Sequence, residues 1–152
     1  MNILLEFECD LKFLNNFSQD LAKKTQIGDI FFLSGELGVG KTTFARFFIN
    51  SLFDKENLNR PNNIKSPSFP IMINYSLVKY EIHHYDLYRL KNKRELKDIG
   101  FFEDFKNNLS IIEWPNLIIE NYSIVNYYEI KFFFIDENKR LLTVKHSKNT
   151  LF

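Results

Sequence analysis

The apolar run Ile30-Phe31-Phe32-Leu33 follows a turn at residues 26–29 and is unbroken. Four consecutive apolar residues between turn signals predict a strand buried on both faces of a parallel sheet. A glycine-rich stretch, residues 35–40, comes next, and then Phe44, Phe47, Phe48 and Leu52 recur at helical spacing over residues 41–53. Upstream, residues 3–8 predict a short strand, and Asp10 caps a helix whose Leu11, Leu14, Phe17 and Leu21 share one face. Downstream, residues 54–66 are polar and Asn-rich and predict an exposed loop. Residues 71–74 and 78–84 predict a hairpin, 91–97 a charged helical segment and 101–105 a short amphipathic piece. Residues 109–112 predict another buried strand, ending at Glu113-Trp114-Pro115. A second hairpin is predicted from 127–135 and 140–145 around a turn at Asp136-Glu137-Asn138. Strand, glycine-rich loop and helix in that order open a phosphate-binding α/β unit. No repeat and no linker divides the chain, so residues 1–152 are expected to form one domain.

Composition agrees with a folded chain: 45% of residues are hydrophobic and 26% charged, which excludes wholesale disorder. Twenty basic against nineteen acidic side chains leave a net charge of +1, too little for a large nucleic-acid footprint. Cys9 is the only cysteine, so no internal disulfide forms and a reducing compartment fits. No activating base stands near it, and it reads as a small apolar residue. Residues 1–8 lack a basic start and carry an acid within the apolar stretch, unlike a secretory signal. No apolar run approaches the roughly 18 residues of a membrane helix. A cytoplasmic location without membrane contact is the expectation.

Gly35-Glu36-Leu37-Gly38-Val39-Gly40-Lys41-Thr42 satisfies every fixed position of the Walker A pattern. Its glycines let backbone N–H groups converge on phosphates, and the helix that starts here adds its positive end. Lys41, expected as an exposed loop charge, would meet the β- and γ-phosphates, and the Thr42 hydroxyl would meet Mg²⁺. Such a loop needs a carboxylate at a neighbouring strand end. Glu113 closes the run 109–112 in the Walker B manner, and Asp86 ends the segment 80–85. The plain alternative for each is a strand-end acid that caps a loop. His83 and His84 are adjacent strand residues that point to opposite faces, so they do not share an ion, and at least one is a packing or solvent histidine. Asn92-Lys93-Arg94-Glu95 approaches the guanine-reading Asn-Lys-x-Asp, but Glu replaces Asp and no apolar strand precedes it. It reads as a solvated helix face, which favours adenine over guanine.

Gly28-Asp29, the Walker A residues, Ser66-Pro67-Ser68-Phe69, His84-Tyr85-Asp86-Leu87-Tyr88-Arg89-Leu90 and Glu113-Trp114-Pro115 occur in an order that resembles the TsaE family. These are small bacterial P-loop ATPases required for threonylcarbamoyladenosine in tRNAs that read codons beginning with A. The resemblance implies a P-loop NTPase-like α/β fold with a mainly parallel central sheet, flanking helices and β-hairpins. It implies ATP and Mg²⁺ as cofactors, and the proteins TsaB and TsaD as partners. It places Glu36, Leu37, Gly38, Val39, Gly40, Lys41, Thr42 and Thr43 around the triphosphate, with Thr42 and Glu113 on the metal. Asp86 would lie near the γ-phosphate, as water positioner or metal-shell acid, and with Lys41 would carry catalysis. Ser66 and Ser68 fall in a switch-type loop, Trp114 stands beside the site, and Arg140 matches a tail Arg near the base. Ser68 replaces the usual Thr, and Leu14-Asn15 stand where a Thr near the nucleotide is common.

The leading expectation is therefore an ATP hydrolase whose turnover drives a partner complex. With no arginine finger evident, its isolated activity should be low. A small-molecule kinase is the alternative, but no Arg-bearing lid is present. A non-catalytic nucleotide-dependent module is a third reading, with a weak tRNA contact through Lys91, Lys93, Arg94 and Lys97.

Overall fold

The computed structural model describes residues 3–69, 71–101, 103 and 105–147. Met1, Asn2, Phe102 and Asp104, which belong to stretches interpreted above, lie outside the described residues. The elements are β1 (Ile3–Cys9), α1 (Leu11–Lys24), β2 (Ile30–Ser34), α2 (Lys41–Lys55), β3 (Met72–Ser76), β4 (Glu81–Asp86), α3 (Lys93–Asp98), β5 (Leu109–Glu113), α4 (Asn116–Asn121), β6 (Tyr127–Phe134) and β7 (Arg140–His146). A 3₁₀ turn, Phe105–Asn107, precedes β5.

All seven strands join one sheet in the order β1-β7-β6-β2-β5-β4-β3. The four central strands β6, β2, β5 and β4 are mutually parallel. Antiparallel pairs close both flanks: β3 with β4 at one edge, and β6 with β7 and β7 with β1 at the other. Both predicted hairpins are thus present, and the mainly parallel centre is as expected.

β2 is buried along its apolar length and divides its side chains between two cores. Phe31 and Leu33 pack with Phe44, Phe48 and Leu52 of α2 and with Leu14 and Leu21 of α1. Ile30 and Phe32 face the other side, with Leu96 of α3, Ile118 of α4 and Phe101. Helices therefore cover both faces, the solution that a two-sided apolar strand demands. Aromatic geometry tightens the first core: the Phe31 and Phe48 rings meet edge to face at 4.8 Å. Asp10 caps α1 by accepting the Phe13 N–H at 2.8 Å, a contact worth about 1 kcal/mol.

Local detail refines the pattern at three places. The first hairpin has a tighter register: Ser76 pairs with Glu81, and Leu77 to Tyr80 form the turn, so Val78 is exposed despite its β-propensity. Strand β4 consequently runs through Asp86 instead of stopping at His84. Residues 116–121, unassigned by the pattern, form α4, because the apolar triplet Leu117-Ile118-Ile119 is too short to show a period. Asn92 and Glu95 form a reciprocal capping box at the start of α3, which gives the guanine-like tetrapeptide a structural role.

The register sets the chemistry. Asp86 and Glu113 are Cα partners across β4 and β5, and Glu113 pairs in turn with Leu33 of β2. Adjacent parallel strands with matched register present these side chains on one face, at the carboxyl ends where open α/β sheets bind ligands.

Candidate functional site

The loop between β2 and α2 encloses open room. Gly38 and Gly40 have φ of +77° and +123°, and a Cβ added at either would meet nothing within 4 Å. Both positions favour glycine for the backbone alone. Gly40 caps α2 without a side-chain hydrogen bond, so the first amides of a fifteen-residue helix face this room with their positive end. Val39 anchors the loop in the core. Its carbonyl accepts the Arg140 Nε–H at 2.9 Å, while Arg140 Nη1 donates to Asp136 O and Lys139 O. Arg140 therefore ties the β6–β7 turn to the loop, with its guanidinium 4.6 Å from the Phe134 ring centre.

Beneath the loop lies a cavity of about 210 Å³ lined by Leu37, Lys41, Thr42, Ser66, Asp86, Glu113 and Trp114, among others. Thr42 Oγ1 is 3.0 Å from each carboxylate oxygen of Glu113 and donates its one hydrogen between them. Ser66 donates to Asp86 Oδ2 and also stands 3.5 Å from Glu113 Oε2. The other Asp86 oxygen accepts the Tyr88 N–H at 3.0 Å. Glu113 is only 2% exposed, so this carboxylate is held by protein groups and not by bulk water. The residue after it, Trp114, takes φ +58° and donates its N–H to Leu33 O, which turns the chain and brings its ring toward Lys41.

Lys41 departs from expectation. It is 4% exposed, not an open loop charge. Its Nζ donates to Gly35 O at 2.6 Å and Glu36 O at 2.9 Å, and lies 4.1 Å from the Trp114 ring centre. Burial lowers its pKa below the ordinary lysine value, while the Glu113 and Asp86 carboxylates pull it back up. Without a phosphate, the loop's own carbonyls hold the ammonium.

A second cavity, about 510 Å³, adjoins the first across Gly38, Gly40 and Thr43. Val39, Cys9, Asp10, Leu14 and Arg140 line it. Burial, then the Asp10 charge, pushes the Cys9 thiol up, which agrees with an apolar filler and not a nucleophile. Two predicted residues stay apart from both cavities. Ser68 is exposed and donates its N–H to Ser66 O. Glu36 contributes its carbonyl to Lys41 and otherwise lines a third cavity, of about 650 Å³, with Trp114 and Lys131.

One residue escaped the sequence reading. His84 is fully buried, and its Nε2 lies 2.9 Å from Glu113 Oε1. His83 faces the other way and pairs with Glu81 at 3.0 Å. The signal for His84 was available, since two residues before Asp86 on a strand is the same face. Among the described residues no cluster of three or more His, Cys, Asp or Glu side chains is arranged to hold a metal by itself. One hydroxyl and one or two carboxylates fit instead the partial shell that Mg²⁺ keeps when phosphates and waters supply the rest. Lys91, Lys93, Arg94 and Lys97 are all exposed around α3.

Residues 10–142 match the family described as Threonylcarbamoyl adenosine biosynthesis protein TsaE. The chain belongs to the TsaE family. Among its relatives, the Rickettsia prowazekii tRNA threonylcarbamoyladenosine biosynthesis protein TsaE is 37% identical over 90% of each chain. The Rickettsia felis protein of that name is 40% identical over 82% of this chain and 69% of its own. The crystal structure of Bacillus subtilis YdiB superposes with a TM-score of 0.69 over 94% of this chain and 85% of that one. At 22% identity that likeness speaks for the fold. The TsaE match includes the glycine-rich loop, both carboxylates and Trp114.

Proposed function

We propose that this chain is an ATP hydrolase, one P-loop domain over residues 1–152, whose Mg²⁺-dependent turnover supports threonylcarbamoyladenosine modification of tRNA together with TsaB and TsaD. One observation carries the reading: Lys41, Thr42, Glu113, Asp86 and Ser66 converge on one cavity under a glycine-rich loop, at the carboxyl ends of three adjacent parallel strands. The names of the relatives supply the tRNA context.

Thr42 and Glu113 would hold Mg²⁺, which when bound neutralises charge on the β- and γ-phosphate oxygens. Lys41 exchanges the Gly35 and Glu36 carbonyls for phosphate oxygens, a short swing for a side chain already beside the loop. The amides at the start of α2 add fixed donors that need no reorganisation. Asp86, held by the Ser66 hydroxyl and the Tyr88 amide, would hold an attacking water and accept its proton, or join the metal shell. The cavity of about 510 Å³ beside Arg140 would take the base and ribose. No arginine lines the phosphate cavity, and Arg140 is committed to three backbone carbonyls. Slow turnover in isolation follows, with a partner completing the charge stabilisation.

The test is ATP hydrolysis by the chain alone and with a TsaB–TsaD pair added. A marked rise on addition is expected. Label passing from ATP to a small-molecule acceptor, in place of release as phosphate, would replace hydrolase by kinase. The exposed cations around α3 keep a weak tRNA contact as the second reading, checked by a salt-dependent tRNA titration.

A further inference from the structure

His84 sits in the middle of β4, on the face it shares with Ile82 and Asp86 and flanked in register by Ile73 and Ile111. It does not line the phosphate cavity. Its Nε2 points at Glu113 Oε1, 2.9 Å away. An ionised carboxylate only accepts, so the hydrogen of this contact is on Nε2. Nδ1 is buried and has no hydrogen-bond partner. An apolar side chain in this slot would pack between two isoleucines without leaving that nitrogen unmet, so packing does not account for an imidazole here.

The carboxylate it touches is otherwise loosely fixed. Both Glu113 oxygens face the single Thr42 hydroxyl hydrogen at equal distance, and Ser66 is 3.5 Å off and donates to Asp86. The His84 N–H, at 2.9 Å from Oε1, is the shortest contact that distinguishes one oxygen from the other, and the longer Ser66 contact lies on the Oε2 side. We infer that His84 is a positioning residue, whose Nε2–H clamps Glu113 Oε1 and so turns Oε2 toward the space that Ser66, Asp86 and Thr42 surround. The inference rests on the reading of Glu113 as the Mg²⁺-side carboxylate. Imidazole supporting a carboxylate in this way orients a ligand without touching the ion, and loss of such a support typically costs 10–100-fold in metal affinity or activity.

Two measurements test it. In the ligand-free wild-type protein, the ¹⁵N spectrum of the imidazoles should show His84 as the Nε2–H tautomer, with that resonance shifted in Glu113→Gln. In ATP titrations, His84→Leu should raise the Mg²⁺ needed for half-maximal binding by about 10–100-fold, and leave binding in EDTA within about twofold. His84→Gln, whose amide nitrogen can reach toward the place of Nε2, should recover most of the Mg²⁺ dependence. An Nδ1–H tautomer overturns the inference, as does a Mg²⁺ dependence of His84→Leu equal to wild type. Equal losses with Mg²⁺ and in EDTA, unrescued by Gln, mark a merely structural role and overturn it too. Should His84→Leu fail to fold, the wild-type tautomer and the His84→Gln titration decide. Glu113→Gln separates the two layers: if it also leaves the Mg²⁺ dependence untouched, the assignment of Glu113 falls. If it alone shifts that dependence, only the role of His84 falls.

Discussion

Lys41→Ala probes the resting state and the phosphate assignment together. The ammonium makes two hydrogen bonds, 2.6 Å to Gly35 O and 2.9 Å to Glu36 O, and lies over the Trp114 ring at 4.1 Å. Hydrogen bonds from a charged donor contribute about 1.5–3 kcal/mol each, and a cation–π contact about 0.5–2 kcal/mol. Burial of the charge opposes these, as the lowered pKa of Lys41 records. Truncation frees two carbonyls beside a cavity of about 650 Å³ that admits water, so they do not become dry orphans. The net loss of stability should be about 1–3 kcal/mol, or roughly 2–12 °C in Tm for a chain of this length. Removal of one partner from a charged contact costs about 2–5 kcal/mol, so Mg²⁺-ATP should bind at least about 30-fold more weakly. Thermal unfolding without nucleotide reads the first effect, and calorimetric titration of the folded variant reads the second. Lys41→Met, which keeps the stem, should recover part of the stability and none of the affinity. An unchanged Tm would refute the carbonyl contacts of the resting lysine. Unchanged affinity in a folded variant would refute the P-loop assignment itself.

Glu113→Gln should weaken Mg²⁺-dependent nucleotide binding, whereas Asp86→Asn should bind ATP nearly normally and lose hydrolysis by about 10²–10⁴-fold in the presence of partners. Equal hydrolysis by Asp86→Asn and wild type would make Asp86 a structural acid. Asn92 is occupied in capping α3, so adenine should be preferred; competition titrations in which GTP binds tenfold or more tightly than ATP would reverse this. Burial pushes the Tyr85 hydroxyl from 10.0 up to about 12. Its proton is held more tightly in the folded chain, so its stabilising contribution is complete below pH 10 and falls away between pH 10 and about 12, by about 2–3 kcal/mol in all. Tyr85→Phe should flatten that part of the alkaline unfolding curve, and an identical curve would refute the assignment.

What could be read in the sequence was whatever depends on local pattern. The run Ile30 to Leu33 declares a two-faced strand because a turn and a glycine-rich loop bound it to a strand's length and Ile30, Phe31 and Phe32 are β-branched or aromatic. The glycine-rich loop declares itself because phosphate binding needs bare backbone at fixed spacing. The Asp86–Glu113 pairing was half legible: each acid marks a strand end, but only the register of β4 against β5 makes them neighbours. For His84 the shared face with Asp86 was legible, but its contact with Glu113 was not, since that partner is 29 positions away in the chain. Lys41 was misjudged because a long side chain has a choice of where to put its charge, and the carbonyls that capture it belong to the folded loop. Helix α4 was missed because one short apolar triplet serves a strand or a helix equally well.

The places where local rules fail are not scattered. Among the described residues, four that are not glycine take positive φ; three are asparagines, which tolerate that conformation, and the fourth is Trp114. A buried lysine at the start of α2, a fully buried histidine of β4 with an unmet nitrogen and two acids in register stand close to that tryptophan through shared contacts with Glu113 or Trp114. Several carry a local cost: a left-handed tryptophan in backbone strain, His84 in an unsatisfied atom, Asp86 and Glu113 in like charge, and Lys41 in desolvation that its carbonyl contacts offset. They are tolerable because β2, β5 and β4 are packed on both faces, which makes the scaffold stiff where the strain is applied. They make sense together because a polyanion and a divalent cation would satisfy the lysine and both acids at once. Trp114, His84, Asp86 and Glu113, none of which belongs to the glycine motif, thus depart from local consistency in the same place where the motif lies.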